Sequence, residues 1–143
     1  MKTHIEQTDY IPTEAEMLAM PEDAYMSPPQ LAFFRQLLES MRTELLAKGQ
    51  TTINTLQETV ATPDEADRAT QEEEHVFEQR MRDRERKLIH KIDEALNRIT
   101  NGTYGWCEES DEPIGLRRLI ARPTATLSIE AQERHEQAEK QYR

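Results

Sequence analysis

The chain has 143 residues, of which 36% are hydrophobic and 32% charged, with a formal net charge of -10 and a mean hydropathy of -0.88. Such a composition is too polar for a compact globule of this length and suits a coiled coil, which buries only a narrow seam. The negative balance disfavours phosphate binding and so speaks against a sequence-specific DNA reader, while the single Cys107 excludes an intramolecular disulfide.

No stretch approaches the roughly 18 apolar residues that suggest a membrane span, and the first residues carry no apolar run of a signal peptide. The expectation is a soluble, cytoplasmic chain without membrane contact. Residues 1–26 are mixed and interrupted by Pro12 and Pro21. Met17, Leu18 and Met20 suit a short helix there, and the segment is expected to pack on a globular module further along.

Ser27-Pro28-Pro29-Gln30 predicts a helix start, because Ser27 can cap, proline suits the first helical position and Gln30 sits where a capping box wants it. Leu31, Phe34, Leu38, Met41 and Leu45 then alternate spacings of three and four, the seam of a coiled coil. The seam weakens around Gly49, Thr51 and Thr52 and resumes at Ile53, Leu56 and Val60. Pro63 breaks it, and Asp64 with Asp67 resembles a new helix N-terminus.

The second helix carries Ala69, Val76, Phe77, Met81, Leu88, Ile92, Ala95 and Ile99 as its apolar face and stops at Asn101-Gly102. Folding back near Pro63 pairs Phe34 with the Ile92 region, Leu38 with Leu88 and Leu45 with Met81. The predicted fold is mainly all-α: an antiparallel two-helix coiled-coil hairpin over 27–102 with its tip near 60–69. A small turn-rich module over 103–127, open to short strands, and a C-terminal helix over 128–143 complete it.

Asp64 and Asp67 have two readings. They can simply cap a helix, or they can be carboxylates carried on a narrow arm into a cavity. Two ligands from one loop could complete a Mg²⁺ site that already holds metal, as a transcript-cleavage factor needs, but could not make one alone. The run from Arg80 to Lys87 is either a solvated face or a grip on an acidic protein surface, and Arg84 falls near the seam. Arg117, Arg118 and Arg122 could bind phosphate or pair with the abundant glutamates. Cys107 has Ser110 at the CxxC position, Ser128 and Ala131 supply no thiolate, and His135 is the nearest histidine. Structural zinc wants four thiolate or imidazole ligands; Cys107 is therefore read as a small, partly buried hydrophobe, with no metal expected. No nucleophile elbow, triad or phosphate loop suggests an enzyme.

Three stretches together resemble the DksA/TraR family: 67–74 (Asp67-Arg68-Ala69 through Glu74), 82–89 (Arg82-Asp83-Arg84 through Ile89) and 114–125 (Ile114-Gly115-Leu116-Arg117-Arg118-Leu119 through Ala125). Gln30-Leu31-Ala32 and Phe34-Arg35 extend the likeness towards the N-terminus, and the segment from Gly105 to Glu109 is similar to the cysteine-poor, zinc-independent branch. The resemblance implies a monomer that binds RNA polymerase rather than DNA and inserts its coiled coil into the secondary channel. It implies that Asp64, Asp67 and Ala69 act near the catalytic centre on open-complex stability, and that Arg84 engages polymerase. Leu88, Lys91 and Arg122 match positions for the alarmone guanosine tetraphosphate (ppGpp), a co-regulator at the polymerase interface. The family's zinc cysteines appear here as Cys107, Ser110, Ser128 and Ala131, and a further alarmone-site lysine as Gln132. Without metal, the module is expected to be held by Trp106, Ile114, Leu116, Leu119 and Leu127. The alternatives are a transcript-cleavage elongation factor and a coiled-coil adaptor.

Overall fold

A capping box opens the first helix. Thr13 Oγ1 accepts from the Glu16 N–H at 3.2 Å, and Glu16 Oε1 accepts from the Thr13 N–H at 3.4 Å, satisfying donors that a helix start leaves without partners. This gives α1 (Glu14–Leu18), followed by a 3₁₀ turn (Glu22–Ala24), α2 (Pro28–Thr59), α3 (Glu65–Asn101), α4 (Leu116–Ala121) and α5 (Ile129–Gln141). The computed structural model describes residues 10–59 and 65–141; the side chains at 52, 53, 55–59 and 65–67 lie outside the described set. Helices α2 and α3 pack as a hairpin, as the mainly all-α expectation has it. Among the described residues the only β pairing is an isolated bridge between Trp106 and Pro113.

The contacts divide the chain into two units, Met1–Leu38 with Glu94–Arg143, and Glu39–Asp93. In the first, Pro28 and Pro29 occupy the opening turn of α2, where no intrahelical N–H bond is lost. The Ser27 N–H goes to the Ala24 carbonyl at 2.9 Å and not to the expected capping-box partner, and Gln30 reaches one residue further back. It is fully buried, its Oε1 accepts from the Met26 N–H at 2.9 Å, and its Nε2 lies 3.5 Å from Met20 Sδ. At the other end α3 stops in a Schellman turn: the Thr103 N–H reaches the Arg98 carbonyl at 2.9 Å and the Gly102 N–H the Ile99 carbonyl at 3.3 Å. Gly102 takes the φ of 79° that this turn demands.

Just beyond that turn, Tyr104 is 1% exposed, its ring centroid 5.4 Å from that of Phe34 and its hydroxyl donating to the Pro123 carbonyl at 2.8 Å. Burial raises its phenol well above the ordinary value, with Arg98 pulling the other way. Met17, Leu38, Ala95, Ile99, Ile114 and Leu119 are also buried apolar side chains of this unit, and α1 packs on α4. Each large one stabilises the fold by about 1.5–3 kcal/mol through lost water contact. Ile114 and Leu119 are buried as expected, but Trp106 is not: it is 40% exposed and stands edge-on to Tyr25 at 5.3 Å. The aromatic anchor of the module is Tyr104, whose hydroxyl finds a carbonyl partner that the Trp106 position does not offer its ring.

The second unit is the antiparallel helix pair itself. Arg42 Nε meets Asp93 Oδ1 at 2.9 Å, and a Cβ added at Gly49 would lie 3.6 Å from Glu85 Oε2. These contacts sit later along α3 than pairing Leu45 with Met81 would put them, in part because helical side chains lean towards their own N-terminus. The buried line also differs. Gln71, Glu78, Arg82, Glu85 and Ile89 are half-buried, at spacings of seven, four, three and four, and Ile92 is fully buried. Val76, Phe77 and Met81, expected in the seam, are exposed. Long polar side chains can pack their aliphatic stems in such a line and lead their charged ends outwards, so apolarity alone does not select which stripe of a helix turns inwards.

Candidate functional site

The hairpin's far end is built by the start of α3. That helix begins at Glu65, so Asp67 belongs to its first turn, where unpaired N–H groups and the helix dipole favour a negative charge. The Asp67 side chain is outside the described set, and Asp64 lies outside the described residues altogether. Ala69, two residues beyond Asp67, is exposed.

Further along α3, Phe77, Arg80, Arg84, Lys87 and Lys91 follow one another at spacings of three and four and therefore share a face. All five are exposed. Arg84 is thus on the outer surface and not in the seam, where Glu85 faces α2 instead. Leu88, on the same side, is half-buried and lies one turn from Lys91. The arginine run does contain one local pair, Asp83 with Arg86 at 3.6 Å, both well exposed; such a pair contributes little. Placing the 82–89 run on a helical wheel with Phe77 would have exposed the shared face in advance.

Arg122 belongs to the other unit, at the C-terminal cap of α4, and is exposed. Its two companions have diverged in role. Arg117 is exposed, whereas Arg118 Nε donates to the Leu127 carbonyl at 2.9 Å and so braces the module. Gln132 Nε2 donates to Glu136 Oε1 at 3.3 Å along α5.

The module's chain reversal centres on Cys107. Its N–H donates to the Glu112 carbonyl at 2.8 Å, the Asp111 N–H returns to the Cys107 carbonyl at 2.9 Å, and Asp111 takes a left-handed φ of 59° to close the turn. The Glu108 N–H reaches the Thr126 carbonyl at 2.9 Å, which brings Ser128 to the same place. Burial opposes ionisation of the Cys107 thiol, but the Ser110 hydroxyl and the N–H groups of Ser128, Ser110 and Glu109 together outweigh it. They draw its pKa down to about 6. Ser128 is spent as a cap: its Oγ accepts from the Ala131 N–H at 3.2 Å. Ala131 is fully buried and fills its position with a methyl group. His135 Nε2 lies 3.2 Å from Glu109 Oε2 and does not face the thiol cradle's other members in a ligand cluster.

Tyr25 ties the reversal to the start of α2. Its hydroxyl donates to the Gly105 carbonyl and accepts from the Gly115 N–H at 3.0 Å. Burial raises this phenol, with the backbone hydrogen bonds of Gly115 and Ile114 acting in the opposite sense.

Two family models match. Residues 30–99 match the DnaK suppressor protein DksA, N-terminal domain, and residues 102–137 match the prokaryotic dksA/traR C4-type zinc finger. The chain is 49% identical over 140 residues to the RNA polymerase-binding transcription factor DksA of Caulobacter vibrioides, covering 97% of this chain and 94% of that protein. The protein of the same name from Escherichia coli strain K12 is 46% identical over 122 residues, 85% and 81% of the two chains. Among solved structures, transcription factor DksA2 from Pseudomonas aeruginosa superposes with a TM-score of 0.83 at 51% identity, over 90% of this chain and 99% of that one.

A C4-type finger implies zinc, and the residues present do not fit it. The positions that the resemblance matches to zinc ligands, Cys107, Ser110, Ser128 and Ala131, offer one thiol, two hydroxyls and a methyl group. One hydroxyl is already bonded to the thiol and the other to a helix N–H, while a structural zinc site is almost always four-coordinate through sulfur and nitrogen.

Proposed function

The chain belongs to the DksA/TraR family, and from that premise we propose that it is a transcription regulator that binds RNA polymerase and works through its helical hairpin. The hairpin enters the secondary channel, and Asp64, Asp67 and Ala69 at its far end act beside the catalytic centre on the lifetime of the open complex. Arg84 holds the arm to polymerase. Leu88, Lys91 and Arg122 serve ppGpp as co-regulator, with Gln132 in place of a cation weakening the phosphate contact, since charge-assisted hydrogen bonds are about twice as strong as neutral ones. The protein acts as a cytoplasmic monomer without reading DNA sequence, and without catalysing a reaction of its own.

The observation that carries this reading is the similarity over 97% of the chain to a relative named as an RNA polymerase-binding transcription factor. Exposed Ala69 and Arg84 on α3 support it. Purified protein is expected to co-elute with core RNA polymerase and to shorten open-complex lifetime at a ribosomal promoter, more so with ppGpp. Failure to co-elute would overturn the reading; shortened transcripts in backtracked complexes would favour cleavage stimulation instead.

The module is proposed to be zinc-independent, its fold maintained by Tyr104, the Tyr25 hydroxyl bridge and the Ser128 cap. A strong chelator is expected to leave both the melting temperature and the effect on open complexes unchanged. A drop in either would contradict metal independence.

A further inference from the structure

On α3 the strip opposite the seam has an order of its own. Ala69, Glu73, Val76, Arg80 and Arg84 follow one another at spacings of three and four, so they share a face, and all are exposed. The half-buried line of Gln71, Glu78, Arg82 and Glu85 is on the other side of the helix. At the middle of the strip Val76 is 47% and its neighbour Phe77 64% exposed. With Ala69, Glu72, Glu73 and Arg80 they line a shallow hollow. The strip is therefore acidic towards its start, apolar at its centre and basic towards its end. Glu72, Glu73, Arg80 and Arg84 make no ion pair with a described residue of their own chain.

A surface with that order is complementary to itself when turned end for end. Let two such strips lie antiparallel about a two-fold axis between Val76 and Phe77. Val76 then faces the partner's Phe77, Glu73 faces the partner's Arg80, and Ala69 faces the partner's Arg84, each contact occurring twice by symmetry. The small Ala69 leaves room for the arginine stem to lie along the neighbouring helix. A parallel arrangement sets arginine against arginine and glutamate against glutamate, so charge selects the antiparallel one. Nucleic acid suits the surface poorly, because Glu72 and Glu73 repel phosphates at the same hollow.

We propose that two copies of this chain pair through this strip of α3, antiparallel, with Val76 and Phe77 as the apolar centre and Glu73 and Arg80 as the pair that fixes the register. From Ala69 to Arg84 the strip is about 22 Å long. An interface one helix wide and of that length is small beside the roughly 1,600 Å² of a standard one, and the net charge of -10 on each copy opposes it. The dimer is therefore weak and exchanges freely. It also covers Ala69 and Arg84, so pairing and polymerase binding exclude each other, and the dimer is a store from which the active monomer is drawn. That consequence, unlike the pairing itself, rests on the polymerase-binding reading.

The test is analytical ultracentrifugation of the full-length protein, without polymerase, from micromolar to millimolar concentration. The parent is expected to pass from monomer to dimer and no further, because a two-fold contact closes. Glu73→Arg and Arg80→Glu are each expected to weaken pairing at least about tenfold, since like charges then face each other twice. An equimolar mixture of these two variants is expected to pair again, every arginine now meeting a glutamate. Phe77→Ser is expected to weaken pairing at least about tenfold, with the melting temperature of the dilute protein unchanged. The control Leu46→Ser, at a side chain 48% exposed on α2, is expected to pair as the parent does. A parent that stays monomeric overturns the proposal, and so does a dimer that Phe77→Ser or the single charge variants leave intact. A mixture of the charge variants that remains monomeric overturns the antiparallel register. Adding core polymerase to the parent is expected to split the dimer. A complex of polymerase with an intact dimer overturns the exclusion, whereas a parent that pairs without binding polymerase overturns the polymerase reading and leaves the pairing.

Discussion

Gly105 faces Met26 so closely that an added Cβ would stand 2.6 Å from the Met26 sulfur and 2.8 Å from its Cγ. Both residues have left-handed backbones, with φ of 91° and 56°, and the Tyr25 hydroxyl joins the two strands of chain by accepting from Gly115 and donating to Gly105. Gly105→Ala therefore meets two penalties, about 1–2 kcal/mol for the left-handed backbone and about 1–3 kcal/mol for overpacking. Gly102→Ala has a φ of 79° but open space around it, and is expected to cost only the first. Denaturant unfolding of the two variants measures the difference; equal losses would show that Met26 gives way freely.

Tyr104→Phe keeps the ring against Phe34 and removes the bond to the Pro123 carbonyl. A buried acceptor left unpaired costs about 1–3 kcal/mol, so the melting temperature should fall while the far-ultraviolet helix signal is retained. Tyr104→Ala should lose the module's packing as well and be the more damaging. An unchanged Tyr104→Phe would place the fold's anchor elsewhere.

The punctuation of the long helices was legible in the residues. Ser27-Pro28-Pro29-Gln30 opens α2 and Gly102 closes α3 because proline and glycine act through backbone geometry, which does not depend on distant partners. The short helix expected around Met17, Leu18 and Met20 is α1, and the Thr13–Glu16 capping box that starts it is a further local signal beside those apolar residues. The distal seam was not. Two nearly equivalent stripes run along α3, and the one facing α2 carries Glu78, Arg82 and Glu85, which local hydrophobicity assigns to solvent. Tyr104 escaped notice for a related reason: its burial depends on Pro123, nineteen residues away, presenting a carbonyl. The candidate tip residues were placed by resemblance; the spacing of Phe77 and Arg84 puts them on one face, but which face of α3 turns outwards depends on where α2 packs.

Cys107 gives a pH-dependent signature. Its thiol pKa of about 6 in the folded chain lies below the roughly 8.5 of a free cysteine. The stabilisation from its hydrogen-bonded thiolate is thus present above the unfolded value and lost as pH falls through the folded one. Thiolate ultraviolet absorbance of the native protein should titrate near pH 6. Stability relative to Cys107→Ser should rise between about pH 6 and 8.5. A native titration at the free-cysteine value would mean that the Ser110 and Ser128 donors do not hold the sulfur.

Asp67→Asn removes a charge from the first turn of α3 while keeping a side chain that can still accept hydrogen bonds. Affinity for polymerase is expected to stay within about threefold of the parent, because the contact proposed at Arg84 lies further along α3, while the effect on open-complex lifetime is largely lost. Parallel losses of affinity and effect would give this carboxylate a structural task.

The claim on which the rest depends is that the start of α3 reaches polymerase's interior. A photo-crosslinking amino acid at the exposed Ala69, with the protein bound to polymerase holoenzyme, tests it directly. The account predicts crosslinks to channel-lining segments of the catalytic subunit, abolished by a competing protein that fills the secondary channel. Crosslinks confined to polymerase's outer surface, or undiminished by that competitor, would contradict it.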